Sequence, residues 1–315
     1  MVTKQVSNTP ILGSQIVKRP INYINESFTD RVFMFFVYLF LAIFLLVILY
    51  PLVYIVSASL SDPVAVTAGK VWLFPVDLSL RGYQVTFQNP QIITGYFNSL
   101  FYTVFGTLLS VVLTITVAYP LSRRDLYGAT VLMFLITFTL IFSGGLIPTY
   151  LVVKQLGMID TRWALIIPQA VAAFQVIIAR TFFRTAIPDE LVEAAELDGC
   201  NDLQFMWSIV LPLSKPIIAV LALMYAVSQW NGYFDALLYL KSTDLQPLQL
   251  VLRNILILNT TSGGVMDAAA MAQRQQLADL LKYCLVVVGS VPVLLLYPFV
   301  QRYFVKGILI GSIKG

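Results

Sequence analysis

The chain is 315 residues long, 58% hydrophobic and only 11% charged, with a net charge of +4 and a mean hydropathy of +0.82. Soluble domains carry roughly 25% charged residues, so this composition excludes them and places the chain in a lipid bilayer as an integral membrane protein. The absence of histidine excludes Ser-His-Asp chemistry and histidine metal ligation, and no GxxxxGK[ST] phosphate loop is present.

In chain order, residues 1–31 read as a cytoplasmic tail containing Pro10 and Pro20. Ile11, Leu12, Ile16 and Val17 would permit a short surface helix there, but a flexible tail fits better. Apolar runs near 32–57, 97–119, 129–150, 163–184, 216–236 and 283–303 approach or exceed the about 20 residues that cross a bilayer, predicting six transmembrane helices. The first starts too far into the chain, and runs too long, for a cleavable signal peptide. Between helices one and two, Asp62-Pro63, Gly69, Pro75 and Asn89-Pro90 are turn signals. Arg123-Arg124 marks a tight turn after helix two, and Gly144-Gly145 with Pro148 predicts a bent or unwound outer end to helix three. After helix five, Leu248, Val251, Leu252, Ile255 and Leu258 have helical spacing and predict an amphipathic helix on the outer surface. A second helix-compatible stretch runs from Met266 to Lys282.

Twelve of the 20 Lys and Arg fall before helix one, between helices two and three, around the 186–214 loop and at the C-terminus. Of the other eight, six are spread over two long loops, where charge counts less, so the positive-inside rule predicts cytoplasmic termini and a cytoplasmic 186–214 loop. These basic residues flank apolar segments without forming a dense patch, which predicts no nucleic-acid partner. Cys200 and Cys284 then fall on opposite sides of the membrane and cannot pair.

Glu193 to Pro212 form a charged island between apolar segments. Pro188, Asp189 and Glu190 predict a helix start, and Gly199 offers the left-handed conformation that ends a helix. Asn201 or Asp202 can cap a second helix that Pro212 should stop. On these residues the chain resembles the bacterial ABC importer permeases: Glu193-Ala194-Ala195, Asp198-Gly199, then Ile209 and Leu211-Pro212 match the family's cytoplasmic coupling loop. Ile147-Pro148, Leu156-Gly157, Trp230-Asn231 and the ending Phe304-Val305-Lys306-Gly307 to Lys314-Gly315 extend the resemblance to the carbohydrate-uptake branch, typified by the second permease of the maltose transporter. Within it, the run Ile141 to Pro148 resembles the LplC/YtcP-type permeases, which implies oligosaccharide cargo.

The resemblance implies an all-α type I importer permease of the bacterial cytoplasmic membrane, with a permease domain over 32–315 and a C-terminal cytoplasmic tail over about 304–315. It implies a second, non-identical permease, two ATP-binding subunits that hold ATP and Mg, and an extracellular or periplasmic solute-binding protein. The chain itself would hold no cofactor or metal and catalyse nothing. Glu193, Ala194, Ala195, Asp198, Gly199, Ile209, Leu211 and Pro212 would couple ATP hydrolysis to transport, with Phe205, Trp207 and Ile209 anchoring the second helix to the bundle.

Glu190, Glu193 and Glu196 could otherwise be no more than the wet face of a helix. Trp230, Asn231 and Tyr233 combine aromatic faces with amide and hydroxyl groups, as sugar contacts require. Trp230 and Tyr233 would supply the stacking surfaces, and an interfacial aromatic belt is the competing explanation. Asp235, a carboxylate at the end of an apolar run, is the lone residue favouring the alternative function, an ion- or proton-coupled secondary transporter.

Overall fold

A computed structural model describes residues 27–261, 281–295 and 298. The N-terminal tail to residue 26, the stretch from Met266 to residue 280 and the 304–315 ending lie outside the described residues. The chain divides into two units, residues 1–51 and 52–315. In the first, α1 (Phe28–Ser59) runs to Pro51 with its apolar side chains almost all exposed, as a lipid-facing helix requires. The last turns of α1 belong to the second unit. There Ser57 and Ser61 hold the strap of α2 (Pro63–Thr67) by bonds from Ser57 Oγ to the Leu73 carbonyl (2.7 Å) and from Val76 N to Ser61 Oγ (3.1 Å).

The second unit is organised around α4 (Pro90–Ser122), which follows the short α3 (Arg81–Gln88). Asn89 caps α4 by accepting from Gln91 N at 3.0 Å, and Pro90 fits the first position, where no N–H is needed. Beyond it come α5 (Ala129–Ile141), α6 (Leu146–Gln155), α7 (Trp163–Ile166), α8 (Ala173–Ala186), α9 (Asp189–Leu197), α10 (Asp202–Phe205), α11 (Leu211–Leu213), α12 (Lys215–Asn231), α13 (Phe234–Tyr239), α14 (Leu248–Thr261) and α15 (Leu281–Leu295). Every regular element among the described residues is helical.

Small residues let α12 lie close to α4. A Cβ at Gly106 would come within 2.9 Å of the Gln229 side chain, and the Thr114 and Tyr225 hydroxyls meet at 2.7 Å. Such interhelical hydrogen bonds contribute roughly 0.6 kcal/mol each inside a membrane, so close packing carries most of the association. At the Ser122 end of α4, Val111, Ile115, Ala118 and Leu121 form a core with Val176, Ala179 and Phe183 of α8 and with Ile217, Leu221 and Tyr225 of α12. At the Pro90 end α14 packs along α4, where Gly95 admits the Leu248 backbone.

Among the described residues two helices, α1 and α4, are long and apolar enough to cross a membrane unbroken, and two bent pairs raise the number to four if each is one span. The predicted spans three, four and five are thus interrupted. Between α5 and α6 the axis turns by 114°, at Gly145, whose φ of +86° and ψ of 172° are open essentially to glycine alone. The predicted helix 163–184 breaks over 167–172, where Pro168 removes a donor and the freed N–H of Ala172 donates to the Tyr225 hydroxyl at 3.3 Å. The predicted helix 216–236 ends at Asn231, with Gly232 extended before α13.

The connection after α6 is fastened to the one after α13. Asp160, itself at φ +61°, accepts from the N–H groups of Lys241 and Ser242 at 2.8 Å each and from the Ser242 hydroxyl at 2.6 Å. The Ser242 hydroxyl and these two N–H groups hold its carboxyl below the usual carboxylate range. A depressed carboxyl stabilises its folded arrangement above the unfolded value of about 3.9 and loses that contribution as pH falls through the folded value. The clip is therefore expected to stay shut from pH 7 down to about 4 and to open only below that. Amide exchange at Lys241 and Ser242 measures this, and fast exchange already at pH 6 would contradict it.

Candidate coupling site

Helix α9 is amphipathic in a specific way. Val192 and Ala195 point into the core formed by α4, α8 and α12, while Glu190, Glu193, Ala194, Glu196 and Leu197 are exposed, Leu197 to 90%. The predicted coupling residues thus divide between the two faces: Glu193 and Ala194 are open to a partner, and Ala195 seats the helix on the bundle.

The helix ends as the Asp198-Gly199 pair predicts. Cys200 N donates to the Ala195 carbonyl at 2.9 Å and Gly199 N to the Glu196 carbonyl at 3.0 Å, with Gly199 at φ +77°. This pair of bonds is the Schellman arrangement, and it reverses the chain within three residues. Asn201 then caps α10 by accepting from Gln204 N at 2.8 Å.

The next stretch departs from expectation. The helix does not stop at Pro212. It passes through a π-helical turn over Met206–Val210, continues through α11, and bends by 79° into α12 at Ser214. The wider π turn accommodates the proline ring that an α turn would clash with. Phe205 is buried and Ile209 packs against the core, as predicted of anchors, but Trp207 is 71% exposed. Trp207 is therefore no anchor of this chain's own bundle: two residues on from Phe205, it lies on the opposite side of the helix. Leu211 is half-buried and Pro212 exposed.

Arg123 and Arg124, which mark a turn in the sequence, also hold the site. Arg124 Nε lies 3.1 Å from Asp189 Oδ2 at the start of α9, and Arg123 Nη2 lies 3.8 Å from Glu196 Oε1 near its end. Arg123 also pairs with Asp125 at 3.0 Å, and its guanidinium holds that carboxyl below the usual range. A cavity of about 310 Å³ lies between this turn, the end of α8 and the start of α9.

The second predicted cluster is not brought together. Trp230 is only 3% exposed, set edge-on against Tyr96 at 5.6 Å, and its indole N–H donates to the Gly289 carbonyl at 2.9 Å. Its ring therefore offers no stacking face, which corrects the expectation for this residue. Asn231 is exposed and donates to the Val227 carbonyl at 2.9 Å. Tyr233, beyond the break at Gly232, is 42% exposed with the Arg253 guanidinium 5.8 Å from its ring centre. Asp235 accepts from the Gln169 amide. Among the described residues no group of histidine, cysteine or carboxylate side chains could hold a metal ion.

The chain has counterparts in known proteins. In Bacillus subtilis (strain 168) the polygalacturonan/rhamnogalacturonan transport system permease protein YtcP is 44% identical over 286 residues, covering 91% of this chain and 99% of YtcP. The chain belongs to the carbohydrate ABC transporter permeases. Protein LplC of the same organism is 42% identical over 268 residues, 84% of the permease and 89% of LplC. Among solved structures, a chain from a bacterial ABC transporter involved in the import of the acidic polysaccharide alginate matches the permease with a TM-score of 0.80 and 37% identity, covering 89% of this chain and 99% of that one. No protein-family model matches. The relatives are permease subunits of ABC importers, so this is a membrane protein of that class, and the ion-coupled alternative is not favoured.

Proposed function

We propose that this permease is one of two non-identical transmembrane subunits that move an oligosaccharide across the bacterial cytoplasmic membrane by alternating access. In this reading six spans leave both termini in the cytoplasm, and a solute-binding protein delivers the cargo at the opposite face. Of the two partner ATPase subunits, which hold ATP and Mg, one docks on α9 of this chain. Their closure drives the helices between two states that differ in affinity for cargo.

The observation that carries the reading is the division of α9 into an inner face seated on the bundle and an outer face left open. Glu193 and Ala194 lie on the open face, and Asp198 and Gly199 form the tight turn behind it. Ala195, Ile209 and Leu211 transmit movement from the helix into α8 and α12, with whose side chains they share one core, and Pro212 sits two residues before the bend at Ser214 that leads into α12. YtcP and the alginate importer are both named for the transport of saccharide chains, which supports oligosaccharide cargo. Tyr233, exposed beside the unwound Gly232, is the aromatic surface best placed to meet it, with Asn231 two residues before it at the end of α12.

The complex reconstituted in liposomes tests this. Uptake of oligosaccharide is expected to require ATP and the binding protein, and to proceed without an ion gradient. Uptake driven by a proton or sodium gradient in the absence of ATP would overturn it.

A further inference from the structure

Three observations tie the start of the coupling segment to the end of α4 rather than to its chain neighbours alone. Asp189 and Glu196 are seven residues apart and so share one side of α9, about 10 Å apart along its axis. The adjacent Arg124 and Arg123 meet them at 3.1 and 3.8 Å. Between these charges Val192 and Ala195 enter the same core as Ala118 and Leu121 of α4. On the neighbouring helix, Arg180 Nε donates to the Leu121 carbonyl at 2.9 Å, and Tyr119 meets Phe183 edge-on at 5.8 Å, so α8 is fixed to the same last turn of α4.

We propose that Arg123 and Arg124 are positioning residues that clamp both ends of α9 to α4, so that movement of the coupling helix enters the bundle through α4 as well as along the chain into α8 and α12. The apolar pair Val192 and Ala195 supplies adhesion but little register, because hydrophobic contact is not directional. Two charge pairs seven residues apart add register: a sliding or tilting α9 breaks one of them. Arg124 is largely exposed and Asp189 about half so, which makes the pair weak enough to break and re-form during a cycle. The clamp rests on the coupling role proposed above for α9.

The test uses the full complex with its ATPase subunits and binding protein in liposomes, reading oligosaccharide uptake per ATP hydrolysed. Arg124→Asp and Asp189→Arg each turn an attraction into a repulsion, and each is expected to lower that ratio by about two- to fivefold, the scale of an exposed pair. The exchanged double variant, Arg124→Asp with Asp189→Arg, is expected to return to within about twofold of the wild type. Recovery is incomplete because Arg at a helix N-terminus opposes the dipole. A purely steric role for either residue would make the two losses multiply. Single variants that assemble and keep the wild-type ratio, or a double variant worse than either single, would overturn the clamp. Gly199→Val, measured alongside, reports on the coupling reading itself. If that variant imports normally the coupling role of the segment falls, whereas a Gly199→Val defect with silent charge reversals overturns the clamp alone.

Discussion

Gly199→Val is expected to lower oligosaccharide uptake by more than tenfold while the complex still assembles. The residue stands at φ +77°, and a Cβ added there would meet no atom within 4 Å, so the substitution creates no clash and acts through backbone conformation alone. A side chain in the left-handed region costs roughly 1–2 kcal/mol, and a β-branched one more, while 1.4 kcal/mol already shifts a population tenfold. If the glycine leaves that region, the bonds from Cys200 N to Ala195 and from Gly199 N to Glu196 open together. The Asn201 cap of α10 is then re-aimed relative to α9, so the open face can no longer meet a partner with both helices in place. A graded series follows from the same physics. Gly199→Asn should be nearly normal, because asparagine tolerates the left-handed region, Gly199→Ala should lose about threefold to tenfold, and Gly199→Val most. Gly69 supplies the control. It has φ +68° and equally open surroundings at the end of α2, so Gly69→Ala carries the same backbone cost far from the coupling segment. Equal losses of transport per assembled complex in the Gly69 and Gly199 variants would show that the effect is on stability and not on coupling.

How much of this was legible in the sequence depends on the range of the interaction. The turn at Gly199, the cap at Asn201 and the kink at Gly145 are set by residues within a few positions of one another, and their glycine, asparagine and proline signals read correctly. The family was equally legible, since the coupling pattern is contiguous. The interruptions of spans four and five were not, because an apolar run reports burial in lipid and not continuity of the helix. The break over 167–172 is made tolerable by Tyr225, which lies far along the chain and accepts from the freed Ala172 N–H. The Arg123–Glu196 and Arg124–Asp189 pairs were hidden for the same reason: adjacent arginines after an apolar run serve the positive-inside rule whether or not a partner faces them. Trp207 and Trp230 exchanged the roles the sequence suggests, one exposed and the other buried. Helical spacing fixes which residues share a face but not which face turns inward, and the π turn over Met206–Val210 changes that spacing locally.

Trp230→Ala is accordingly expected to fail in assembly and not in transport. The indole is packed among Ile92, Leu248, Val251, Leu252 and Leu285, so it joins α12 to α4, α14 and α15 at one point. Truncating a buried aromatic of this size costs about 3–5 kcal/mol, comparable to the net stability margin of many domains. The same change also removes the indole hydrogen bond to the Gly289 carbonyl at 2.9 Å. Trp230→Phe separates the two effects: it keeps most of the packing and removes the N–H, with an expected cost of about 0.5–1.5 kcal/mol for the lost hydrogen bond, because the Gly289 carbonyl lies inside α15. Yields of assembled complex should therefore fall in the order wild type, Trp230→Phe, Trp230→Ala, while uptake divided by the amount of assembled complex stays near the wild-type value. Tyr233→Ala should behave in the opposite way. Its ring is 42% exposed beyond the break at Gly232 and its removal opens no buried cavity, so assembly should be normal and uptake per complex reduced severalfold. Both quantities are read from one preparation by quantifying the intact complex before the uptake assay. Normal assembly of Trp230→Ala with impaired uptake per complex would return that ring to the cargo path, and it would require α12 and α15 to part during the cycle so that the indole leaves the Gly289 carbonyl.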